Sequence, residues 1–232
     1  ATADGGKTWK PVSLLPGEAG EKHLNRLFVS SAGTWLIAGE GGQVLRSTDR
    51  GESWSIISPD LSTNDPDYTT PAPAGFMGER GGAETHATLI SVVESSLRPG
   101  VIWAGTDDGN VQVTRDGGVT WTNVRSNIPV SDVPARTWVS RVEPSHFDAG
   151  TAYVSFDGHR TSNFKPYVFR TTDFDATWRN ITADLPQRSP VYVVKQDLKN
   201  PSLLFVGTEF GVYTSIDGGA RWHRRSPWLG GR

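Results

Sequence analysis

The chain of 232 residues contains no cysteine. This absence excludes disulfide bonds and thiolate metal sites, and it is neutral about the cellular compartment. The 23 lysines and arginines nearly balance 25 acidic residues, so the formal net charge is only −2 and the pI is about 6.2. Because this balance provides no electrostatic footprint for a nucleic acid or an anionic membrane, we expect neither as a partner.

Long hydrophobic runs are missing as well. No stretch approaches the roughly 20 apolar residues that a membrane-spanning helix needs, so no membrane span is expected. The five histidines are scattered without the spacing of metal ligands, and the sequence therefore predicts no metal site and no cofactor. The Gly-x-Ser-x-Gly elbow, the phosphate-binding glycine loop and the His-Glu-x-x-His zinc pair are also absent.

The chain contains instead a repeated motif. A Ser or Thr is followed two residues later by Asp and seven residues later by Trp, and this spacing occurs five times. Four copies also place Gly four residues after the hydroxyl residue. The remaining copy has Asp175 at that place, so its turn is expected to be the least regular. The hydroxyl residues of the five copies are Thr2, Ser47, Thr114, Thr171 and Ser215.

The motif has the residue types of a tight turn between antiparallel strands. An Asp side chain accepts hydrogen bonds from the backbone N–H groups just ahead of it, and Gly adopts the positive φ that closes the turn. The Trp ring is expected to pack between neighbouring sheets. We therefore interpret the repeated residues as structural, in preference to five catalytic or metal-binding aspartates. They are Asp4, Trp9, Asp49, Trp54, Asp116, Trp121, Asp173, Trp178, Asp217 and Trp222.

The spacing of the repeat predicts the architecture. Successive aspartates are 45, 67, 57 and 44 positions apart, and the shorter intervals fit a four-stranded propeller blade of about 40–50 residues. Short β-branched and aromatic runs recur in the same order before each aspartate, and no stretch has a sustained helical period. The sequence predicts an all-β chain, a β-propeller of one domain over residues 1–232. Its four complete blades are expected at about 22–58, 86–125, 137–182 and 190–225.

Residues 1–14 predict only an aspartate turn and the outer strand of a further blade. We therefore expect the chain to form part of a larger propeller. The remaining blades would belong to a longer parent chain or to a partner subunit.

Four segments carry a family resemblance: residues 101–121, 140–154, 164–167 and 204–211. Together with the repeats, they resemble the bacterial sortilin-like propellers built of BNR, or Asp-box, repeats, a group often labelled glycosyl hydrolase. The resemblance implies a secreted, periplasmic or cell-surface protein. It leaves the activity open, because Asp boxes also occur in sialidases, xyloglucan hydrolases, sortilin-type receptors and photosystem assembly factors.

Propeller geometry indicates where a ligand would bind. If the aspartate turns join the third and fourth strands, the opposite face carries the turns between second and third strands and the connections between blades. The longest connection, residues 58–85, is expected to be a functional lid or a mobile segment. The ligand-binding candidates on this face are Glu40, Phe76, Arg80, His159, Arg160, Lys165 and Glu209.

Two functions follow from this arrangement. The first is a non-catalytic module that binds a protein, peptide or glycan on the face opposite the aspartate turns. The second is a glycoside hydrolase resembling the xyloglucan-degrading Asp-box enzymes, with paired carboxylates at the central cleft. Its catalytic candidates are Asp107, Asp108 and Asp157, although polar turns also favour Asp for backbone hydrogen bonding. We prefer the binding module because most tryptophans belong to the repeats, which argues against a Trp-lined sugar track.

Overall fold

The computed structural model describes residues 7–8, 23–31, 33–66, 87–129 and 131–225. Within these ranges the chain forms sixteen strands in four antiparallel sheets of four strands, and each sheet follows the chain order. The all-β prediction is confirmed. The outer strand expected in residues 1–14 lies, apart from residues 7 and 8, outside the described residues, and so does most of the connection 58–85.

The strands are short and recur in the same pattern. Sheet 1 comprises β1 (Leu24–Val29), β2 (Trp35–Gly39), β3 (Val44–Ser47) and β4 (Ser55–Ile56). Sheet 2 comprises β5 (Leu89–Glu94), β6 (Ile102–Thr106), β7 (Val111–Thr114) and β8 (Thr122–Asn123). Sheet 3 comprises β9 (Trp138–Pro144), β10 (Ala152–Gly158), β11 (Asn163–Thr171) and β12 (Arg179–Asn180). Sheet 4 comprises β13 (Val191–Gln196), β14 (Leu204–Thr208), β15 (Gly211–Ser215) and β16 (His223–Arg224).

The sheets pack face to face, and their first strands contact one another in succession from β1 to β5, β9 and β13. Apolar residues occupy both faces of the inner strands, because each inner sheet has a neighbour on either side. Between sheets 2 and 3, Trp103 meets Trp178 edge to face at 6.0 Å, and both are buried. Tyr153 and Val206 belong to the core between sheets 3 and 4.

The repeated motif forms the turn between the third and fourth strands of each sheet, which we call the aspartate turn. In sheet 1 the Ser47 hydroxyl donates to Asp49 Oδ1 at 2.7 Å and accepts from the Gly51 N–H at 2.8 Å. The Ser53 N–H donates to the same carboxylate at 2.9 Å. Asp116, Asp173 and Asp217 make the corresponding carboxylate contacts. Hydrogen bonds to the ionised form hold the pKa of all four carboxyls below the usual range.

The aspartate turn of sheet 3 differs from the others, as its sequence predicts. Phe174 and Asp175 both have positive φ, at 65° and 145°, where L-residues are strained. The Asp175 carboxylate accepts two hydrogen bonds from the Arg115 guanidinium of sheet 2, at 2.8 and 2.9 Å. Where the other turns have glycine, this turn therefore has an aspartate that forms an ion pair with the neighbouring sheet.

Two tryptophans of the aspartate turns form hydrogen bonds to the preceding sheet. Trp121 Nε1 donates to the Ile57 carbonyl of sheet 1 at 2.9 Å, and Trp222 Nε1 donates to the Ile181 carbonyl of sheet 3 at 2.9 Å. Trp178 is buried, as Trp222 is, but its Nε1 has no hydrogen-bond partner among the described residues. Trp54 donates within its own turn, to the Gly51 carbonyl at 3.2 Å.

No helix in the described part of the chain is long and apolar enough to cross a membrane.

Replacing Asp116 by Asn tests the contribution of the aspartate turn. A carboxyl with a lowered pKa stabilises the fold above its unfolded pKa of about 4, and this stabilisation is lost as the pH falls toward the folded-state value. The Asp116→Asn variant should therefore melt at a lower temperature than the wild type at neutral pH. Its melting temperature should also fall less between neutral and acidic pH. Circular dichroism melts of the two proteins measure both effects, and Asp132→Asn, at an exposed position outside the aspartate turns, is the control.

A matched pair of substitutions isolates the indole hydrogen bond. Trp222→Phe removes a donor and leaves the Ile181 carbonyl without it, at an expected cost of about 1–3 kcal/mol in the free energy of unfolding beyond the change in packing. Trp178→Phe removes a similarly buried indole whose Nε1 donates to no described residue. Urea denaturation should show the larger loss for Trp222→Phe. Equal losses of unfolding free energy in the two variants would contradict a stabilising role for the hydrogen bond between Trp222 and Ile181.

Candidate functional site

One face of the molecule carries the turns between the second and third strands, and we call it the loop face. The aspartate turns lie at the opposite ends of the same strands. Backbone contacts connect the loop face from sheet to sheet: Glu40 of sheet 1 forms a β-bridge with Thr88 at the start of sheet 2. Within sheet 4, the Glu209 N–H donates to the Pro190 carbonyl at 3.2 Å. The loop face is therefore attached to the ends of buried strands.

A pocket of about 270 Å³ opens on the loop face where sheet 3 meets sheet 4. We call it the loop-face pocket. Three segments supply its wall: the β10–β11 turn with the start of β11, the connection into β13, and the β14–β15 turn. Its lining residues are His159, Phe164, Arg188, Pro190, Tyr192, Glu209 and Phe210.

His159 is fixed by the carboxylate of Asp157 at one side of the pocket. Asp157 is the penultimate residue of strand β10 and is buried, and His159 opens a short 3₁₀ turn, His159–Thr161. The backbone N–H of His159 donates to Asp157 Oδ1 at 3.0 Å, and its ring Nδ1 lies 2.6 Å from Asp157 Oδ2. These two contacts orient the imidazole and leave its other edge toward the pocket wall.

Tyr192 and Glu209 form the adjoining pair. The Tyr192 hydroxyl donates to Glu209 Oε2. This hydrogen bond, reinforced by partial burial and by the negative charge of Asp157, raises the pKa of Tyr192 to about 12. The Tyr192 ring lies edge to face with the His159 ring, with centroids 6.1 Å apart. The Asp157–His159 pair of sheet 3 is thus in contact with the Tyr192–Glu209 pair of sheet 4 through the rings of His159 and Tyr192.

Exposed aromatic rings complete the pocket. Phe210 is 59% exposed, and Phe164 and Tyr192 are also exposed. The Arg188 guanidinium lies 5.6 Å from the centre of the Phe164 ring. Apolar rings that surround a few polar groups are typical of ligand sites, because the rings supply burial and the polar groups fix orientation.

The remaining acidic candidates are held by backbone donors. Glu40 Oε2 accepts from the His23 N–H at 3.0 Å. Asp107 Oδ1 accepts from the backbone N–H groups of Ala87 and Thr88. Asp108 is bound by the backbone and hydroxyl of Thr63, at 2.6 and 2.8 Å, and by the Thr106 hydroxyl. Asp107 and Asp108 are buried.

The basic candidates are separated from one another. The Arg160 guanidinium stacks 4.1 Å from the centre of the Trp138 ring. Lys165 lines a second pocket, of about 390 Å³, together with Asp132, Tyr167 and Gln187. Phe76 and Arg80 lie outside the described residues. Of the predicted site residues, the structure therefore brings His159 and Glu209 together at one pocket, with Asp157 bound to His159.

Sequence reasoning did not single out Tyr192 or Arg188. Residues 191–194 read Val-Tyr-Val-Val, a run in which no polar residue marks the exposed position. The register of β13 against β14 shifts between Val191 and Val193, and Tyr192 lies at this irregularity with its ring exposed. A β-bulge redirects a side chain without leaving a signal in composition, so only the pairing could reveal it.

The described residues contain no group of three or more His, Asp or Glu side chains that could hold a metal ion.

Comparison with known proteins identifies the fold. No protein-family model and no curated protein matches the chain. Among solved structures it is similar to an ancestral GH74 enzyme, with a TM-score of 0.62 and 18% identity, and to the GH74 xyloglucanase from Xanthomonas campestris, with a TM-score of 0.61 and 20% identity. These matches cover 88% and 87% of this chain. The fold is a β-propeller.

The four sheets are thus blades 1 to 4 of a propeller. A GH74 enzyme from Niastella koreensis is also similar, with a TM-score of 0.50 and 18% identity over 87% of this chain. The chain spans 24%, 30% and 38% of the lengths of these three enzymes, in the order given. At such identities the likeness establishes a common fold.

The raised pKa of Tyr192 provides a direct test of the pocket geometry. Glu209→Gln removes the acceptor charge, so the pKa of Tyr192 should fall from about 12 toward the ordinary tyrosine value of about 10. Absorbance of tyrosinate at alkaline pH, measured as the difference from Tyr192→Phe in each background, isolates this single group. An unchanged titration in Glu209→Gln would contradict the pairing of Tyr192 with Glu209.

Proposed function

We propose that the chain is a non-catalytic binding module built on an Asp-box propeller, and that it binds a peptide or protein segment in the loop-face pocket between blades 3 and 4. The observation that carries this proposal is the exposure of three aromatic rings, Phe164, Tyr192 and Phe210, around Arg188 and Glu209. Exposed aromatic clusters of this kind are usual where proteins bind one another.

The support beneath the pocket favours binding without rearrangement. Phe156 precedes the Asp157–His159 pair and is fully buried, and Val191 precedes Tyr192 and is fully buried as well. Residues adjacent to such positions lose little conformational entropy when a ligand docks, because the scaffold already holds their backbone. The scaffold therefore holds the aromatic surface of the pocket in place before a ligand binds.

The charges of the pocket favour a peptide over a neutral chain of sugars. Arg188 offers a cation, Glu209 offers a carboxylate, and the rings between them accept an apolar side chain. A peptide backbone flanked by one apolar and one charged side chain matches this pattern. The exposed aromatic residues that line this pocket are two phenylalanines and one tyrosine, whereas an extended track of exposed tryptophans would favour a polysaccharide.

The positions of the acids also support a binding role. The oxygens of Asp107 and Asp108 that accept backbone hydrogen bonds stabilise the loop connections, and both side chains are buried. Asp157 is engaged by His159. A glycosidase requires two carboxylates facing one scissile bond across about 5–9.5 Å.

Location outside the cytoplasm of a bacterial cell, which the sequence resemblance implies, is part of the proposal.

Peptide arrays test this function. A library of random peptides on a membrane, probed with the wild-type chain, should give binders enriched in aromatic and charged residues. The double variant Phe164→Ser, Phe210→Ser should bind the recovered peptides at least about tenfold more weakly in calorimetry, since aromatic anchors carry much of an interface's free energy. Val119→Ser is the matched control, because Val119 is 82% exposed in the aspartate turn of blade 2.

Two results would contradict the proposal. The first is unchanged peptide affinity in the double variant. The second is release of reducing sugar from xyloglucan by the wild type, abolished in Asp157→Asn, which would instead support the hydrolase.

A further inference from the structure

His159, Tyr192 and Glu209 meet in the loop-face pocket and form what we call its acceptor wall. Nδ1 of the His159 ring lies 2.6 Å from the Asp157 carboxylate. Because an ionised carboxylate only accepts, Nδ1 carries the hydrogen, and Nε2 of the neutral ring is left with a lone pair. The Tyr192 hydroxyl gives its hydrogen to Glu209. Both side-chain donors of this wall are therefore already engaged.

The backbone donors of the β14–β15 turn are engaged as well. The Glu209 N–H donates to the Pro190 carbonyl at 3.2 Å, and the Phe210 N–H donates to the Thr208 hydroxyl at 3.3 Å. The Arg224 guanidinium binds the Phe210 carbonyl at 2.9 Å. These bonds fix the turn, and they leave the N–H groups of Glu209 and Phe210 without a hydrogen for a ligand.

Three acceptor atoms of the wall remain open: Glu209 Oε1, the Tyr192 oxygen, and Nε2 of neutral His159. No described residue donates a hydrogen bond to any of them. A wall that has acceptors and no remaining donors is complemented by a group rich in N–H donors, such as an ammonium or a guanidinium.

The electrostatic field at this wall is negative. The hydrogen bond to Glu209, partial burial, and the charges of Asp157 and Glu209 all raise the pKa of Tyr192, to about 12. The surroundings of the Tyr192 hydroxyl therefore disfavour a further negative charge and favour a positive one. Charge and hydrogen-bonding pattern thus point to the same kind of ligand.

Arg188 is the one Lys or Arg among the described residues that line this pocket. Its guanidinium lies over the Phe164 ring, 5.6 Å from the ring centre, and forms no ion pair with any described residue. Glu209 is therefore not neutralised by Arg188. The contact with Phe164 also shows that a ring of this pocket accepts a cation at its face.

Exposed rings lie beside the open carboxylate oxygen. Tyr192 is bonded to Glu209, Phe210 follows Glu209 in the chain, and both rings are exposed. A cation is attracted by the negative face of an aromatic ring, and the aliphatic part of a Lys or Arg side chain packs against apolar surface. Both parts of a long basic side chain therefore find a partner here.

We propose that the loop-face pocket selects a basic side chain, and that a Lys or Arg of the bound peptide donates to Glu209 Oε1 while its aliphatic part packs against Tyr192 and Phe210. This selectivity rests on the peptide-binding function proposed above, since it names the side chain that the peptide inserts. The partner is a peptide segment with an accessible basic residue.

Substituted peptides test the selectivity. The peptides recovered from the array should be enriched in Lys and Arg over Asp and Glu. One of them is synthesised with Lys, Gln or Glu at the basic position, and its ends are acetylated and amidated so that they carry no charge. Calorimetry at neutral pH should show the Lys peptide binding at least about tenfold more tightly than the Gln peptide, because a charge-assisted hydrogen bond is stronger than a neutral one. The Glu peptide should bind most weakly.

A matched pair of variants identifies the group that binds the cation. Glu209→Gln keeps an oxygen for the Tyr192 hydroxyl but removes the charge, so affinity for the Lys peptide should fall about tenfold while affinity for the Gln peptide changes less than about twofold. Arg188→Gln removes a repelling charge and should bind the Lys peptide at least as tightly as the wild type. Glu52→Gln, at an exposed glutamate in the aspartate turn of blade 1, is the control and should bind like the wild type.

Equal affinity of the wild type for the Lys and Gln peptides would overturn the selectivity, and so would a preference for the Glu peptide. A larger loss in Arg188→Gln than in Glu209→Gln would overturn it as well, because the pocket would then bind an anionic group. The proposed function fails differently: no peptide binds, which overturns both proposals, or the double variant Phe164→Ser, Phe210→Ser keeps its affinity. Circular dichroism of each variant shows that the blades are folded.

Discussion

The structure depends on one contact that recurs between blades: the turn of one blade lies against the strand end of the blade before it. A sheet with two apolar faces must be covered on both sides, and side-chain packing alone would allow neighbouring sheets to slide. The indole bonds of Trp121 and Trp222 to backbone carbonyls fix the register between blades. The aspartate stabilises the turn that carries each indole, and in blades 2 and 4 that indole bonds to the preceding blade.

The aspartate turns and the loop-face pocket lie at opposite ends of the strands. The carboxylates of the aspartate turns bind their own hydroxyl and N–H groups, which keeps them ionised and engaged at one end of the strands. The turns at the opposite end differ in length and composition, although Glu40 of blade 1 still bridges Thr88 at the start of blade 2. The loop-face pocket lies there, and it is built from residues that have no counterpart in the repeat.

The aspartate turn of blade 3 shows how the contact tolerates a change. With Asp175 in place of glycine, two residues adopt positive φ, and the Arg115 guanidinium of blade 2 binds the new carboxylate with two hydrogen bonds. Asn127 of the connection after blade 2 also donates to the Asp175 carbonyl, at 2.8 Å. Backbone strain at this turn is therefore offset by polar contacts with the preceding blade, while the Trp178 ring keeps its packing against Trp103.

The sequence by itself determined the all-β class, the four complete sheets, and the placing of the aspartate turns and the turns of the loop face at opposite ends, because these follow from local turn chemistry and from the spacing of the repeat. It also marked Asp157, His159 and Glu209 as candidates. Only the tertiary structure decided that His159 and Glu209 line one pocket with Asp157 bound to His159, that Asp107 and Asp108 bind backbone groups, and that Tyr192 is exposed. Such outcomes depend on strand register and on contacts between distant segments, and a shift of one residue at Val191–Val193 leaves no trace in composition.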